Sequence, residues 1–122
     1  MFYYIILVST SREENRDYLI YPNTILGVFD GEKLIAYGSL VFPNDSPENI
    51  GWDLDWSREK IFHCLTLDTI VVDPDYRGHG LQRTLIRSCV AYALELMPDA
   101  TVLTTVSPFN EFSLHNVQAE GF

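Results

Sequence analysis

Apolar and polar positions fall in blocks along this chain, and the block lengths separate strands from helices. Residues 2–8 are an unbroken run of mostly aromatic and β-branched side chains, the length and chemistry of a buried strand. Ser11 followed by Glu14 has the spacing of a capping box and predicts a short helix up to about Ile20. Two apolar runs, 25–29 and 34–41, then flank Asp30-Gly31, whose glycine tolerates the positive φ of a tight turn, so the pattern predicts an antiparallel hairpin. The run from Ile61 to Val72 is long for a strand, is stopped by Asp73-Pro74, and is expected to cross the middle of the sheet. Leu81, Leu85, Cys89, Tyr92 and Leu96 recur at helical spacing up to Met97, with Pro98 as the stop, which predicts a helix with one broad buried face. Residues 101–106 read as a strand, and Asn110 as the N-cap of a last helix over 111–119 that ends at Gly121. A hairpin, a long strand and a helix crossing over to a parallel strand make an α+β fold with a mixed central sheet.

Composition narrows what such a fold does. The 122 residues show no repeat, linker or low-complexity tract, so residues 1–122 are read as one domain with a turn-rich break at Pro43–Pro47. Hydrophobic residues at 47% and charged residues at 20% are ordinary globular usage. The run Met1–Val8 is too short to span a bilayer and lacks the flanks of a signal peptide, so a cytoplasmic protein without membrane contact is expected. Cys64 and Cys89 lie in apolar segments without CxxC spacing and read as buried thiols. A net charge of −9 argues against nucleic acid and anionic lipid as partners and favours a cationic one. Three of the eight Lys and Arg residues, Arg77, Arg83 and Arg87, share one stretch, whereas Asp45 to Asp75 carries eight acids against Arg58 and Lys60. A small basic spot sits on an acidic body.

That spot coincides with the passage from strand to loop to helix at residues 69–86. Gly78 and Gly80 let the backbone bend tightly and bring a bulky anion close to amide N–H groups. Those amides lead into a helix N-terminus, with unpaired donors and partial positive charge suited to a phosphate. A P-loop would need Gly-Lys-Ser/Thr here, and the dinucleotide fingerprint would need a glycine where Arg83 stands. A pair of glycines also makes a tight turn without any ligand, so the flanking residues decide.

Those flanking residues closely resemble the signature of the GNAT acetyltransferases, Val-x-Pro-x-Tyr-Arg-Gly-x-Gly-Leu, at Val72, Pro74, Tyr76, Arg77, Gly78, Gly80 and Leu81. A second family pattern is matched by Asn110, Ser113, Gly121 and Phe122. The resemblance covers residues 24–122 and is strongest over 65–90. It implies a GNAT-like sheet with a splayed parallel strand pair, and acetyl-CoA as cosubstrate with no metal. Backbone N–H groups of Arg77, Gly78, His79, Gly80, Leu81 and Gln82 would hold the pyrophosphate, with Arg77, Arg83 or Arg87 reaching phosphate oxygens. Ile70, Val71 and Val72 would offer pantetheine an open strand edge, with Val106 and Ser107 across the gap. Asn110 would either cap its helix or hydrogen-bond pantetheine.

The implied reaction is direct attack of an amine on the thioester, the acceptor being a small-molecule or peptide amine. A backbone N–H near Val71 or Val72 would stabilise the oxyanion. Asp68 is the candidate general base or amine ligand, because a charge inside a strand is costly unless solvated or paired. Strand alternation puts it on the side of Ile70 and Val72 unless a bulge re-aims it. His63 has the intrinsic pKa of a base but also reads as an ordinary half-buried histidine. His79 and His115 add no metal spacing. The loop from Asp45 to Lys60, with Trp52 and Trp56, is the candidate acceptor site. Two departures stand out. Many family members carry a tyrosine seven residues after the helix asparagine to protonate the leaving thiolate, and Val117 is there instead. The family also adds two strands after Gly-Phe, where this sequence has reached Phe122, so a truncated domain or a homodimer is expected. A catalytically weak or inactive CoA-binding domain of the same fold is the alternative.

Overall fold

A computed structural model describes the strand at residues 3–9 and residues 23–122. The helix expected from Ser11 to Ile20 lies outside the described residues. Strands β1 (Tyr3–Ser9), β2 (Thr24–Asp30), β3 (Lys33–Val41), β4 (Cys64–Val72) and β5 (Thr101–Thr104) form one sheet in chain order. Neighbours are antiparallel except β4 and β5, which are parallel and joined through helix α2 (Leu81–Leu96). The mixed α+β sheet expected from the sequence is therefore present, although β4 lies second from the β5 edge and not at the middle. The predicted hairpin closes at Asp30 opposite Lys33, with Gly31 at φ +60° in the turn.

The start of β4 differs from the expected boundary. Ile61 and Phe62 belong not to the long strand but to a short helix α1 (Arg58–Phe62). Ser57 caps it: its Oγ accepts the Lys60 N–H at 3.2 Å, and its carbonyl accepts the Ile61 N–H at 2.9 Å. Ile61 is fully buried, so hydrophobicity alone could not separate the end of the helix from the start of the strand. The preceding loop is held by buried Asn49, whose Nδ2 donates to the carbonyls of Asn44 and Ile61 at 2.8 and 3.1 Å. Its Oδ1 accepts the Gly51 N–H at 2.9 Å. Every polar atom of this buried amide works against the chain, which removes the penalty of burying it.

Helix α2 lies across β3 and β4 with Leu85, Ile86, Cys89 and Ala93 fully covered. Gly38 on β3 makes that approach possible, because a Cβ there would meet Cys89 Sγ at 2.9 Å. The Cys89 thiol is pushed up to about 12 by burial, so it packs as a small apolar group. Helix α3 (Glu111–Ala119) is tied to α2 by Glu120 just beyond its end, which accepts from Arg83 Nε at 2.9 Å and from Arg87 Nη2 at 2.8 Å. These bonds, Arg87's first and then Arg83's, hold the Glu120 carboxyl below its ordinary value.

Gly38→Ala should lower the unfolding free energy by about 1–3 kcal/mol, the usual cost of overpacking. Cys89→Ala in the same chain should recover part of it; an equal loss in both backgrounds, measured by urea unfolding, would contradict the contact. Because the folded-state pKa of Glu120 is lowered, its contribution is present above the unfolded value and lost as pH falls through the folded one. The stability gap between the parent and Glu120→Gln should thus be full near neutrality and shrink below the ordinary value of 4.5. A gap independent of pH would show that the clamp is not ionic.

Candidate functional site

The site begins where the parallel ladder stops. β4 and β5 pair only from Cys64 opposite Thr101 to Leu67 opposite Thr104. On its other side, β4 places Leu67 opposite Leu40 and Thr69 opposite Ser39, leaving Asp68 with no partner. Asp68 is thus the extra residue of a β-bulge, which bends the strand and increases its twist. The bulge also switches the core-facing set from Leu65 and Leu67 before it to Ile70 and Val72 after it. The simple alternation that would place Asp68 beside Ile70 and Val72 therefore fails, and Asp68 is exposed, accepting the Thr69 Oγ1 hydrogen at 3.2 Å.

Beyond this point the strands part. β5 ends at Thr104, two residues before the expected Val106, because no β4 backbone remains within reach to pair with it. Thr104 fixes the apex of the opening, its Oγ1 donating to the Leu67 carbonyl at 2.9 Å. The resulting cleft holds about 240 Å³. Residues 67–70 form one wall and 104–107 the other, while Gln82 and Ile86 of α2 and Asn110, Ser113 and Val117 of α3 complete it.

The glycine loop sits at the outer end of β4. Asp73 donates its N–H to the Ile35 carbonyl at 2.7 Å and accepts the Asp75 N–H on its side chain at 2.9 Å. Tyr76 donates its hydroxyl to Asp30 at 2.8 Å, so the loop is anchored to the hairpin. Gly78 and Gly80 have φ of +86° and +72°, a left-handed conformation that disfavours any side chain. Gly80 is the N-cap of α2 and supplies no side-chain hydrogen bond, whereas α1 and α3 are capped by Ser57 and Asn110. The first N–H groups of α2 thus have no side-chain cap and lie at the dipole's positive end, the arrangement that suits a phosphate.

The third wall is a hydrogen-bonded set that sequence reasoning missed. Asn116, buried, donates Nδ2 to Gln82 Oε1 at 2.8 Å, and Gln82 Nε2 donates to Ser113 Oγ at 3.1 Å. Gln82 therefore links the first turn of α2 to α3 through its side chain. The available signal was Asn116, an amide next to the apolar Val117 on a helix with one covered face. Thr104 carries no signal of its role in a strand containing two threonines.

The structure brings together Asp68, Ile70, Gln82 and Asn110 around the cleft, with Val106 and Ser107 opposite β4. Asn110 caps α3, accepting the Ser113 N–H at 3.1 Å through Oδ1, and also lines the cleft. Arg77, Gly78 and His79 stand exposed on the loop, and Val71 and Val72 lie farther out along β4 than the cleft lining. Leu81, the first residue of α2, has its side chain buried in the core, so its backbone is the part that faces the loop. Arg83 and Arg87 both pair with Glu120. His63 receives no base-like setting: it closes α1, its Nδ1 2.8 Å from the Glu59 carbonyl and its Nε2 3.5 Å from Asp99. The tryptophan loop is likewise satisfied internally. Lys60 Nζ sits 3.9 Å over the Trp56 ring, Trp52 Nε1 donates to the Ser46 carbonyl at 3.0 Å, and Arg58 lies 3.7 Å from Asp45. None of its residues lines the cleft.

Among the described residues no helix is long and apolar enough to cross a membrane. No curated protein matches the chain. Several solved structures share its fold at low identity. An aminoglycoside N-acetyltransferase in complex with CoA aligns over 82% of this chain and 59% of its own, at 20% identity and a TM-score of 0.60. An aminoglycoside acetyltransferase from an uncultured soil metagenomic sample, in complex with sisomicin, aligns over 82% and 57% at 11% identity and a TM-score of 0.60. A ribosomal-protein-alanine N-acetyltransferase from Brucella melitensis biovar Abortus 2308 aligns over 82% and 64% at 16% identity and a TM-score of 0.57. The chain thus spans less than two thirds of the length of each of these structures. The sequence model of the Acetyltransferase (GNAT) family matches residues 2–122, and with the bulged β4, the parted β5 and the uncapped glycine loop it leads to one conclusion: this chain belongs to the GNAT acetyltransferase family.

Proposed function

We propose that this domain transfers an acetyl group from acetyl-CoA to the primary amine of a small molecule or peptide. The observation that carries the reading is that one cleft, opened by the Asp68 bulge, runs to Gln82 in the uncapped first turn of α2. A strand edge for a pantetheine arm and an anion site for its diphosphate are thereby continuous. Asn110 Nδ2 adds a donor on the α3 wall. The relatives in complex with CoA and with sisomicin support this pairing of thioester donor and amine acceptor.

The thioester supplies an activated acetyl carbonyl. The chain's part is to align it with the amine and to handle one proton and one developing charge. The amine nitrogen bonds to the carbonyl carbon as the carbon–sulfur bond breaks, and a β4 backbone N–H past the bulge hydrogen-bonds the carbonyl oxygen. Asp68, exposed on the cleft wall, takes the ammonium proton before attack, and the second N–H proton passes to solvent as the tetrahedral adduct collapses to the amide. Val117 offers no proton, so solvent protonates the departing thiolate. That same feature supports the second reading, a domain that binds CoA without turning it over, which an amine-acetylation assay separates from the first.

Acetyl-CoA and CoA should each raise the melting temperature of the protein more than ATP, which lacks the arm that fills the cleft, since binding to the native state stabilises it by mass action. Gly78→Glu, which puts bulk and negative charge on the loop, should abolish the shift. A well-folded parent that neither CoA form stabilises would end the proposal. With an accepted amine in hand, Asp68→Asn should cut turnover by about a hundredfold, within the usual range for a general base, and leave CoA affinity unchanged. Undiminished turnover would remove Asp68 from the mechanism.

A further inference from the structure

Two aromatic side chains stand in the open at the rim of the cleft. Phe109 is 95% exposed and Phe112 69%, the most exposed large apolar residues among those described. Side chains of this size gain most from burial, so leaving a pair of them in water marks a contact surface. Their position says which contact. Phe109 directly precedes Asn110 and Phe112 directly precedes Ser113, both part of the cleft wall. Phe112 also lies one helical turn before Asn116, on the strip of α3 whose amide reaches Gln82. The rings therefore flank the end of α3 that faces the first turn of α2.

A ligand whose diphosphate rests on residues 78–82, with its thiol arm in the cleft, has its remaining portion at this rim. The group that gains from exposed phenyl rings is a planar ring with a π face, which stacks without needing hydrogen bonds. A macromolecular partner fits less well, because the rings are separated by Asn110 and Glu111 and followed by exposed His115, so they form no broad apolar patch. We infer that Phe109 and Phe112 form a stacking shelf for the purine base at the nucleotide end of CoA. The inference rests on the cofactor reading above.

Titration calorimetry of the parent with CoA and with 4′-phosphopantetheine, which keeps the arm and a phosphate but lacks the base, tests it. The double variant Phe109→Ala, Phe112→Ala should bind CoA about tenfold more weakly, the scale of losing one base–aromatic stack. It should bind 4′-phosphopantetheine as the parent does. The double variant Phe109→Tyr, Phe112→Tyr should retain CoA affinity. Loss of the same size for both ligands, or no loss with CoA, would overturn the shelf while leaving the cofactor reading standing. A parent that binds neither ligand would overturn both.

Discussion

A single unpaired residue in an interior strand sets the geometry of this domain. Parallel strands share an evenly spaced ladder and keep company as long as neither backbone changes its twist. Asp68 changes it: with no residue opposite it on β3, it bends β4 and flips the parity of the strand, so that Leu65 and Leu67 pack inward before it and Ile70 and Val72 after it. The core is kept continuous across the bend, while pairing with β5 is given up at Leu67 and Thr104. One residue thus produces an open strand edge inside a packed sheet, and an exposed carboxylate at the point where the edge begins.

The rest of the site is arranged around that opening. Gly38 lets α2 settle close to the sheet, which brings its N-terminus to the outer end of the cleft. Tyr76 and Asp73 fix the loop to the hairpin and to Ile35, so the two left-handed glycines turn on a rigid base. Gln82, Ser113 and Asn116 set the spacing of the α2 and α3 walls, and Arg83 and Arg87 close the far end against Glu120. These arginines therefore hold α3 against α2, while Arg77 stands exposed on the loop. The chain as a whole carries a net charge of −9, which disfavours a polyanionic partner.

Much of this was legible in the sequence, because it depends on local signals. The apolar runs flanking Asp30-Gly31 pointed to the hairpin, helical spacing from Leu81 to α2, and Asn110 to the cap of α3. The glycine loop was legible because few residues other than glycine accept its φ values. What stayed hidden depends on neighbours distant in the chain. The bulge at Asp68 is defined by its register against Ser39 and Leu40, and the early end of β5 follows from it. Ile61 is apolar in either a helix or a strand, and only the cap at Ser57 decides between them. The pairing of Lys60 with Trp56, and of Arg83 with Glu120, could not be read from a list of charges.

The central claim is that the parted edge of β4 and the first turn of α2 together receive one extended, phosphate-bearing ligand. Amide hydrogen exchange of the protein with and without CoA tests it most directly, since exchange reports which N–H groups gain protection. Slowed exchange confined to the segments around residues 68–72 and 78–82, appearing in step with CoA binding, is the predicted result. Binding of CoA with protection elsewhere, and with both segments exchanging as in the free protein, would contradict it.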